Sequence, residues 1–338
     1  MSETVLVTGG AGYIGSHTCK ELNKAGYFPV VYDHLSTGYA EFVKWGPLEI
    51  GDILDTERLI QVIIKYTPAA IIHLAGSAYV GESVIHPSLY YRNNVQGTLS
   101  VLQAMKSTGI RNIVLSSSCA VYGIPSEPFI KESHPQVPVN PYGRTKSIIE
   151  HMLHDFAYAY GIKAVSLRYF NAAGADPDGE IGEQHDPETH LIPLLLDVAA
   201  GRRSHLDIYG DDYPSEDGTC VRDYVHVSDL ANAHVKAMDK ILNGGSYAPC
   251  YNLGNGQGYS VLQIVRAAER VTRKKIAVRL APRRIGDPPR LVCDSSLAQS
   301  ELEWIPQYCS LEVMLEHAWK WHQKRYSLLG ISAQVPPE

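Results

Sequence analysis

The chain opens on an apolar run, Val5 to Val7, that stops at a cluster of glycines. A short continuous apolar stretch bounded by a turn signal reads as a strand buried on both faces. Beyond the glycines the pattern becomes helical as far as Ala25, and a second apolar run closes at Asp33. The same rhythm returns at Leu48 to Ile50 before Gly51-Asp52, at Ala70 to Leu74 before Ala75-Gly76, at Ile113 to Leu115 before Ser116, and at Ala164 to Leu167 before Arg168. Helical stretches separate these runs, which predicts a doubly wound parallel sheet of the α/β (Rossmann) class. The expected division places residues 1–170, with a return near 224–238, in this sheet domain. Residues 171–222 and 247–338 are expected to form a smaller mixed α/β substrate domain at the C-terminal side.

The glycines between the first strand and first helix carry chemistry. Gly10-Ala-Gly12-Tyr-Ile-Gly15 satisfies G-x-G-x-x-G, and Gly9, Gly12 and Gly15 give the related G-x-x-G-x-x-G spacing. Glycine is required where backbone turns tightly, approaches a pyrophosphate and lets the helix pack on the strand, with the helix N-terminus facing the negative charge. Tyr13 and Ile14 stand at that helix start. Asp33, closing the second strand, can accept hydrogen bonds from both adenosine ribose hydroxyls and would repel a 2′-phosphate, so NAD is expected rather than NADP. Ligands of such sheets sit at the strands' C-terminal ends. That rule gathers Asp52, Ile53, Leu74, Ala75, Gly76, Ser116 to Ser118 and Tyr169-Phe170-Asn171 around one crevice.

Asn140 to Lys146 reads NPYGRTK. Proline behind a capping asparagine starts a helix, and Tyr142 and Lys146 at i and i+4 then share one face. An isolated Y-x-x-x-K is better read as a surface tyrosine beside a solvated lysine. Its setting changes that reading, because Ser118 in SSSCAVYG ends a strand of the same sheet. A serine, tyrosine and lysine beside a dinucleotide form an apparatus for moving a proton while an alcohol is oxidised or a ketone reduced. Free tyrosine titrates near ~10, about three units too high for a base at neutral pH. A lysine charge at about 6 Å contributes ~2.8 kcal/mol at an effective dielectric of 20, or roughly two units. The positive ring of oxidised NAD and the helix N-terminus are expected to supply the remainder.

Composition narrows the partners. The 338 residues are 45% hydrophobic with a formal charge of −6 and no basic run, which disfavours nucleic-acid and anionic-membrane surfaces. The six cysteines contain no C-x-x-C, so neither a disulfide framework nor a zinc site is indicated, and a cytoplasmic home is expected. No apolar stretch reaches the ~18 residues of a membrane helix, and no basic n-region precedes the first strand. The fourteen histidines form no H-x-x-x-H grouping, so no metal is assigned; His73 and His226 are read as strand-end residues.

In order along the chain, TGGAGYIGSH, HLAG, YYRNNVQGTLSVLQAM, SSSCAVYG, NPYGRTK, LRYFNAAGADPDGEIGE and VRDYVHVSDLA closely resemble UDP-glucose 4-epimerases of the extended short-chain dehydrogenase/reductase family. The likeness runs from Val5 to about Leu302, and RYFNAAGADPDG with EDGTCVRDYVHV is its most specific part. The resemblance implies Tyr142 as the base, Lys146 as its electrostatic and ribose-binding partner, and Ser118 as the hydroxyl orienting the sugar O4. It implies Asn94 on the cofactor side and Phe170 in the nicotinamide pocket. It further implies Asn171 holding the diphosphate or sugar, and Arg222, Arg284 and Asp287 clamping the diphosphate and uridine ribose. It also implies a homodimer built on helices near residues 87–107 and 142–160.

Two departures stand out. Ala78 occupies the position where some members carry a lysine that approaches the cofactor phosphate, which would hold NAD less tightly. Leu291 stands where the family varies bulk beside the sugar, leaving hexose, N-acetylhexosamine and pentose nucleotides open. Dehydratases of this fold place acidic residues just after the active-site hydroxyl, whereas Cys119-Ala120 follow Ser118 here. A product-releasing reductase would more naturally use NADP, and a non-catalytic dinucleotide sensor would not need Ser118, Tyr142 and Lys146 together. The reaction that the resemblance implies is interconversion of UDP-glucose and UDP-galactose by inversion at C4 through a transient 4-ketose with NAD retained, a UDP-N-acetylhexosamine or UDP-pentose being the alternative substrate.

Overall fold

The computed structural model describes residues 2–244, 248–284 and 286–328. Its strands are β1 (Thr4–Thr8), β2 (Phe28–Asp33), β3 (Leu48–Ile50), β4 (Ala70–His73), β5 (Asn112–Ser118), β6 (Lys163–Tyr169), β7 (Asn171–Ala173), β8 (Leu206–Tyr209), β9 (Val221–His226), β10 (Cys250–Leu253), β11 (Gly258–Ser260), β12 (Val278–Ala281) and β13 (Arg290–Leu291). Its α-helices are α1 (Tyr13–Lys24), α2 (Thr56–Tyr66), α3 (Val80–Ile85), α4 (Pro87–Tyr90), α5 (Gly97–Thr108), α6 (Pro141–Tyr160), α7 (Leu191–Ala199), α8 (Val227–Leu242), α9 (Val261–Thr272), α10 (Ser296–Glu301) and α11 (Leu311–Leu328).

A seven-stranded sheet in the order β10-β6-β5-β4-β1-β2-β3 forms the first unit, and its ladders are all parallel. The continuous apolar runs follow from this, because both faces are covered. In β1, Val5 and Val7 face a core shared with Leu22 and Met238, while Leu6 faces the opposite core with Leu59 and Met105. The strand order reverses between β1 and β4, which opens a ligand crevice at their C-terminal ends. No helix among the described residues is long and apolar enough to cross a membrane.

The second unit packs α7, α9 and α11 around a core including Ile192, Ile264 and Leu315. A mixed sheet, β11-β9-β13 with β7 on β9, adjoins it, and β8 pairs with β12. The proposed residue division needs three changes at this level. β10, expected in the substrate domain, pairs parallel with β6, Cys250 opposite Ser166 and Leu253 opposite Tyr169. Ala298 of α10 and Trp304 also pack into the first unit's core, where the Trp304 indole donates to Asp229 O at 2.9 Å. β9 belongs to the mixed sheet, although α8, which follows it directly, packs in the first unit's core. A four-residue strand and a lone tryptophan carry too little periodicity to reveal which core they join. The tail SAQVPPE, read as loose, lies outside the described residues.

Candidate active site

The β1–α1 junction is built to receive a dinucleotide. Gly9 has φ +74°, and a Cβ there would stand 2.6 Å from the Ala75 amide nitrogen; one on Gly15 would stand 2.1 Å from Gly9 O. These positions admit only glycine. Helix α1 begins after Gly12 without a side-chain cap, leaving its first amide groups for an anion. At the end of β2 the buried Asp33 accepts from Ala11 N at 3.1 Å and Leu35 N at 2.8 Å, which fixes its carboxylate. Tight backbone, a bare helix N-terminus and an oriented carboxylate fit NAD.

The other expected cofactor residues divide by what their side chains do. The Tyr13 hydroxyl donates to Gly174 O at 2.7 Å, tying the glycine loop to the second unit, so only its backbone remains for a phosphate. Ile14 and Leu74 pack against the core. Ile53 packs so closely on Gly97 that a Cβ there would be 2.5 Å from its Cδ1. Asp52 is engaged with its own turn, accepting from Leu54 N at 2.9 Å. Ala75 and Gly76 follow β4, where Asn94 braces the loop. The Asn94 amide accepts from Ser77 N at 2.8 Å and donates to Ser77 O at 3.0 Å and Thr145 Oγ1 at 3.1 Å. With both amide hydrogens used, Asn94 positions the β4 loop against α6, a different use of its side chain from the expected cofactor contact.

The structure brings Ser118, Tyr142 and Lys146 together. Ser118 ends β5, and α6 starts at Pro141 with the Asn140 side chain accepting from Gly143 N at 2.8 Å. The Ser118 hydroxyl stands close enough to the Tyr142 phenol to act on its proton affinity. Lys146, one turn on, lies 5.9 Å from the Tyr142 ring centre and donates to Ser116 O at 2.7 Å. Burial drives the Tyr142 hydroxyl above its ordinary value and the nearby Tyr169 adds to this, while the Ser118 hydroxyl opposes it. The lowering expected from lysine is not among these influences in the protein alone. Lys146 is itself lowered to about 8 by burial, with Glu150 opposing. Its ammonium is also aimed at the Ser116 carbonyl, away from the phenol.

Phe170 and Leu291 line one apolar patch with Val121, Cys119 and Cys293. Asn171 donates to Asp223 O at 2.9 Å. The Arg222 side chain, on β9, pairs with Asp287 and also donates to Val221 O at 2.8 Å. Arg284 is not part of that pair; its exposed guanidinium lies 4.0 Å over the Tyr209 ring. A solvated cation gains more from an aromatic face there than from a third place in a bridge that is already neutral.

Three features escaped the sequence reading. The buried Asp223 accepts from Cys293 N at 3.0 Å, Asn255 N at 2.9 Å and Gly256 N at 2.9 Å, anchoring the strand that carries Arg222. Beneath the catalytic helix, Arg168 and Glu150 form a buried pair at 2.6 Å, and Ser117 donates to Glu150 at 2.5 Å. The i+4 step from Lys146 to Glu150 was the available signal for the second. The third is a group of possible metal ligands, Glu183, His185, Glu188 and His190, within 4.8 Å of one another. Their E-x-H-x-x-E-x-H spacing lies outside the histidine-pair patterns on which the expectation of no metal rested.

The NAD dependent epimerase/dehydratase family model matches residues 5–254. The chain belongs to this family. A UDP-glucose 4-epimerase from Rhizobium meliloti is 52% identical over 324 residues, covering 96% of this chain and 98% of that relative. The crystal structure of UDP-glucose 4-epimerase from Brucella ovis in complex with NAD superposes with a TM-score of 0.92 at 53% identity, over 94% of this chain and 98% of that one. A UDP-glucose 4-epimerase from Stenotrophomonas maltophila, with bound NAD and formylated UDP-arabinopyranose, gives a TM-score of 0.93 at 38% identity, covering 96% and 99%. Epimerases of this family therefore share both the sheet and the second unit described above.

Proposed function

We propose that this protein is an NAD-dependent UDP-glucose 4-epimerase, an isomerase that inverts C4 of a UDP-sugar through a transient 4-keto sugar. The observation that carries this reading is the convergence of Ser118, Tyr142 and Lys146, with the Ser118 hydroxyl acting on the Tyr142 phenol and the Lys146 ammonium 5.9 Å from its ring centre, at the strand ends that face the glycine loop. Ser118 orients the sugar O4 and Tyr142 takes its proton. Lys146, titrating near 8, is mostly protonated at neutral pH, and its charge opposes the effect of burial on the phenol. The glycine loop with Gly9 and Gly15, and Asp33, would hold NAD, which would supply a reversible hydride acceptor for C4. Tyr142 then returns the proton to O4, so neither protons nor electrons are consumed.

Inversion requires the keto sugar to present its other face while the nucleotide stays in place. Arg222, already desolvated and paired with Asp287, suits the anchoring role, since a guanidinium matches phosphate oxygens bidentately. Asp287 is then released to accept from ribose hydroxyls, with Asn171 and Arg284 completing the grip. The apolar patch of Phe170 and Leu291 offers the sugar few polar contacts, which leaves it free to turn.

Initial rates with UDP-galactose, UDP-N-acetylgalactosamine and UDP-arabinose test the substrate. UDP-galactose is expected to turn over fastest; a faster N-acetyl or pentose substrate would reassign what Leu291 admits. The homodimer is proposed on the helical face around α4 to α6, where Leu89 and Tyr158 are exposed. A reducing, cytoplasmic compartment suits the six unpaired cysteines.

A further inference from the structure

We propose that the loop Glu183 to His190 is a structural site for a single divalent ion of the zinc class, with Glu183, His185, Glu188 and His190 as its ligands. All four donors come from one eight-residue loop that enters α7. His185 Nδ1 lies 3.5 Å from a Glu183 oxygen and 3.5 Å from Glu188 Oε2, and His190 Nδ1 lies 3.9 Å from Glu188 Oε1. Donors on a tetrahedron of ~2.0–2.1 Å radius, the zinc–nitrogen and zinc–oxygen distance, stand about 3.4 Å apart. These three separations lie within about 0.5 Å of that edge, and all four donors fall within 4.8 Å of one another. The Glu183–His190 contact, 2.5 Å, is the one that must open, by about 0.9 Å to reach that edge.

The state of individual atoms points the same way. Neither His185 Nδ1 nor Glu188 Oε2 has a hydrogen-bond partner, and both are shut off from solvent. Such atoms are costly to leave unsatisfied, and an ion between them would remove the cost. Glu188 Oε1 accepts from Thr189 N at 2.8 Å and His190 N at 2.9 Å, which fixes the carboxylate with its other oxygen turned toward His185. The Tyr79 ring packs on both imidazoles, at 5.8 and 6.0 Å, and the Trp321 indole holds Glu183 O at 3.1 Å. The nearby Asp176, Asp178 and Glu180 differ in kind, because Lys20 already supplies their cation at 2.7 to 3.1 Å. For Glu183 and Glu188 the ion-pair partners are the two histidines themselves.

Two imidazoles and two carboxylates suit zinc or cobalt, and four protein ligands leave no open position for chemistry. The ion would clasp the α7 entrance against Tyr79, joining the second unit to the β4 loop. It is separate from the C4 reaction, which assigns these residues no step.

The test uses the full chain, stripped of metal with a chelator and titrated with Co2+ near pH 7.5. One equivalent is expected to give the intense visible absorption of a tetrahedral cobalt site, to be displaced by one equivalent of Zn2+, and to raise the melting temperature. His185→Ala and Glu188→Gln should each weaken uptake at least about 100-fold, while chelator-treated variants retain the wild-type circular dichroism spectrum. Should a variant fail to fold, imidazole nitrogen NMR of the wild-type protein decides, since zinc must shift His185 and His190 Nδ1 together. No saturable uptake, a weak octahedral spectrum, uptake that survives in both folded variants, or unshifted imidazoles would overturn the proposal.

Discussion

Tyr142 meets two opposing influences within a few ångströms. Burial raises its proton affinity and the Ser118 hydroxyl works the other way. Replacing Tyr142 with phenylalanine should lower the epimerisation rate by at least about 10²- to 10⁴-fold, the usual worth of a positioned acid–base group, while NAD remains bound. Retention of NAD is read from the absorbance and fluorescence of the purified variant after reduction. Lys146 gives a second expectation for the cofactor-free protein. Its folded value, about 8, lies below the ~10.4 of an unfolded lysine, so between these values the unfolded chain holds more protons. Stability from this group therefore rises with pH across that window, by about 3 kcal/mol at most. Urea unfolding of wild type and Lys146→Met at pH 7 and pH 10 should show the gap moving in favour of wild type at the higher pH. The identities of Ser118, Tyr142, Lys146 and Asp33 were legible because each ends a strand or starts a helix at a fixed spacing. The brace formed by Asn94 was not, since its partners, Ser77 and Thr145, lie 17 and 51 residues away in sequence.

Among the elements, the β1–α1 turn and α6 bear most directly on the site. A methyl group on Gly15 would collide with Gly9 O, so Gly15→Ala must shift the turn out of the path of the pyrophosphate. NAD affinity measured by calorimetry should fall at least about tenfold, equivalent to ~1.4 kcal/mol, with the secondary structure retained. Helix α6 is fastened at both ends, by the Asn140 cap and by Gly161 at φ +67°, and from beneath by Arg168 on Glu150. Each of those two charged side chains is only 5% exposed. Glu150→Gln leaves the guanidinium buried without its counter-charge and should destabilise the protein by about 3–5 kcal/mol in urea unfolding. The principal strands and helices could be read from apolar runs and caps because those signals are local. β10, β13 and the loop 183–190 could not, as their places are set by partners far along the chain: Ser166 to Tyr169 for β10, and Val221 and Arg222 for β13.

Across the whole molecule, the parallel-sheet unit carries the proposed acid–base groups Ser118, Tyr142 and Lys146, and the mixed second unit carries Arg222, the proposed nucleotide anchor. The chain crosses between them repeatedly, with β9 in one and α8 in the other, which is why a division by residue number was only partly legible. Tyr13 to Gly174 and Lys20 to Asp176 connect the regions at hydrogen-bond distance, so the proposed nucleotide anchors and the proposed acid–base groups share one frame. In the proposed reaction, hydrogen leaves C4 and returns to it without passing through water. Proton NMR of the purified protein with UDP-galactose in deuterium oxide, with no cofactor added at first and NAD added afterwards if the sugar is unchanged, reads this out most directly. UDP-glucose that keeps its C4 proton is expected; deuterium at C4, or no UDP-glucose after NAD is supplied, would overturn the proposed hydride return.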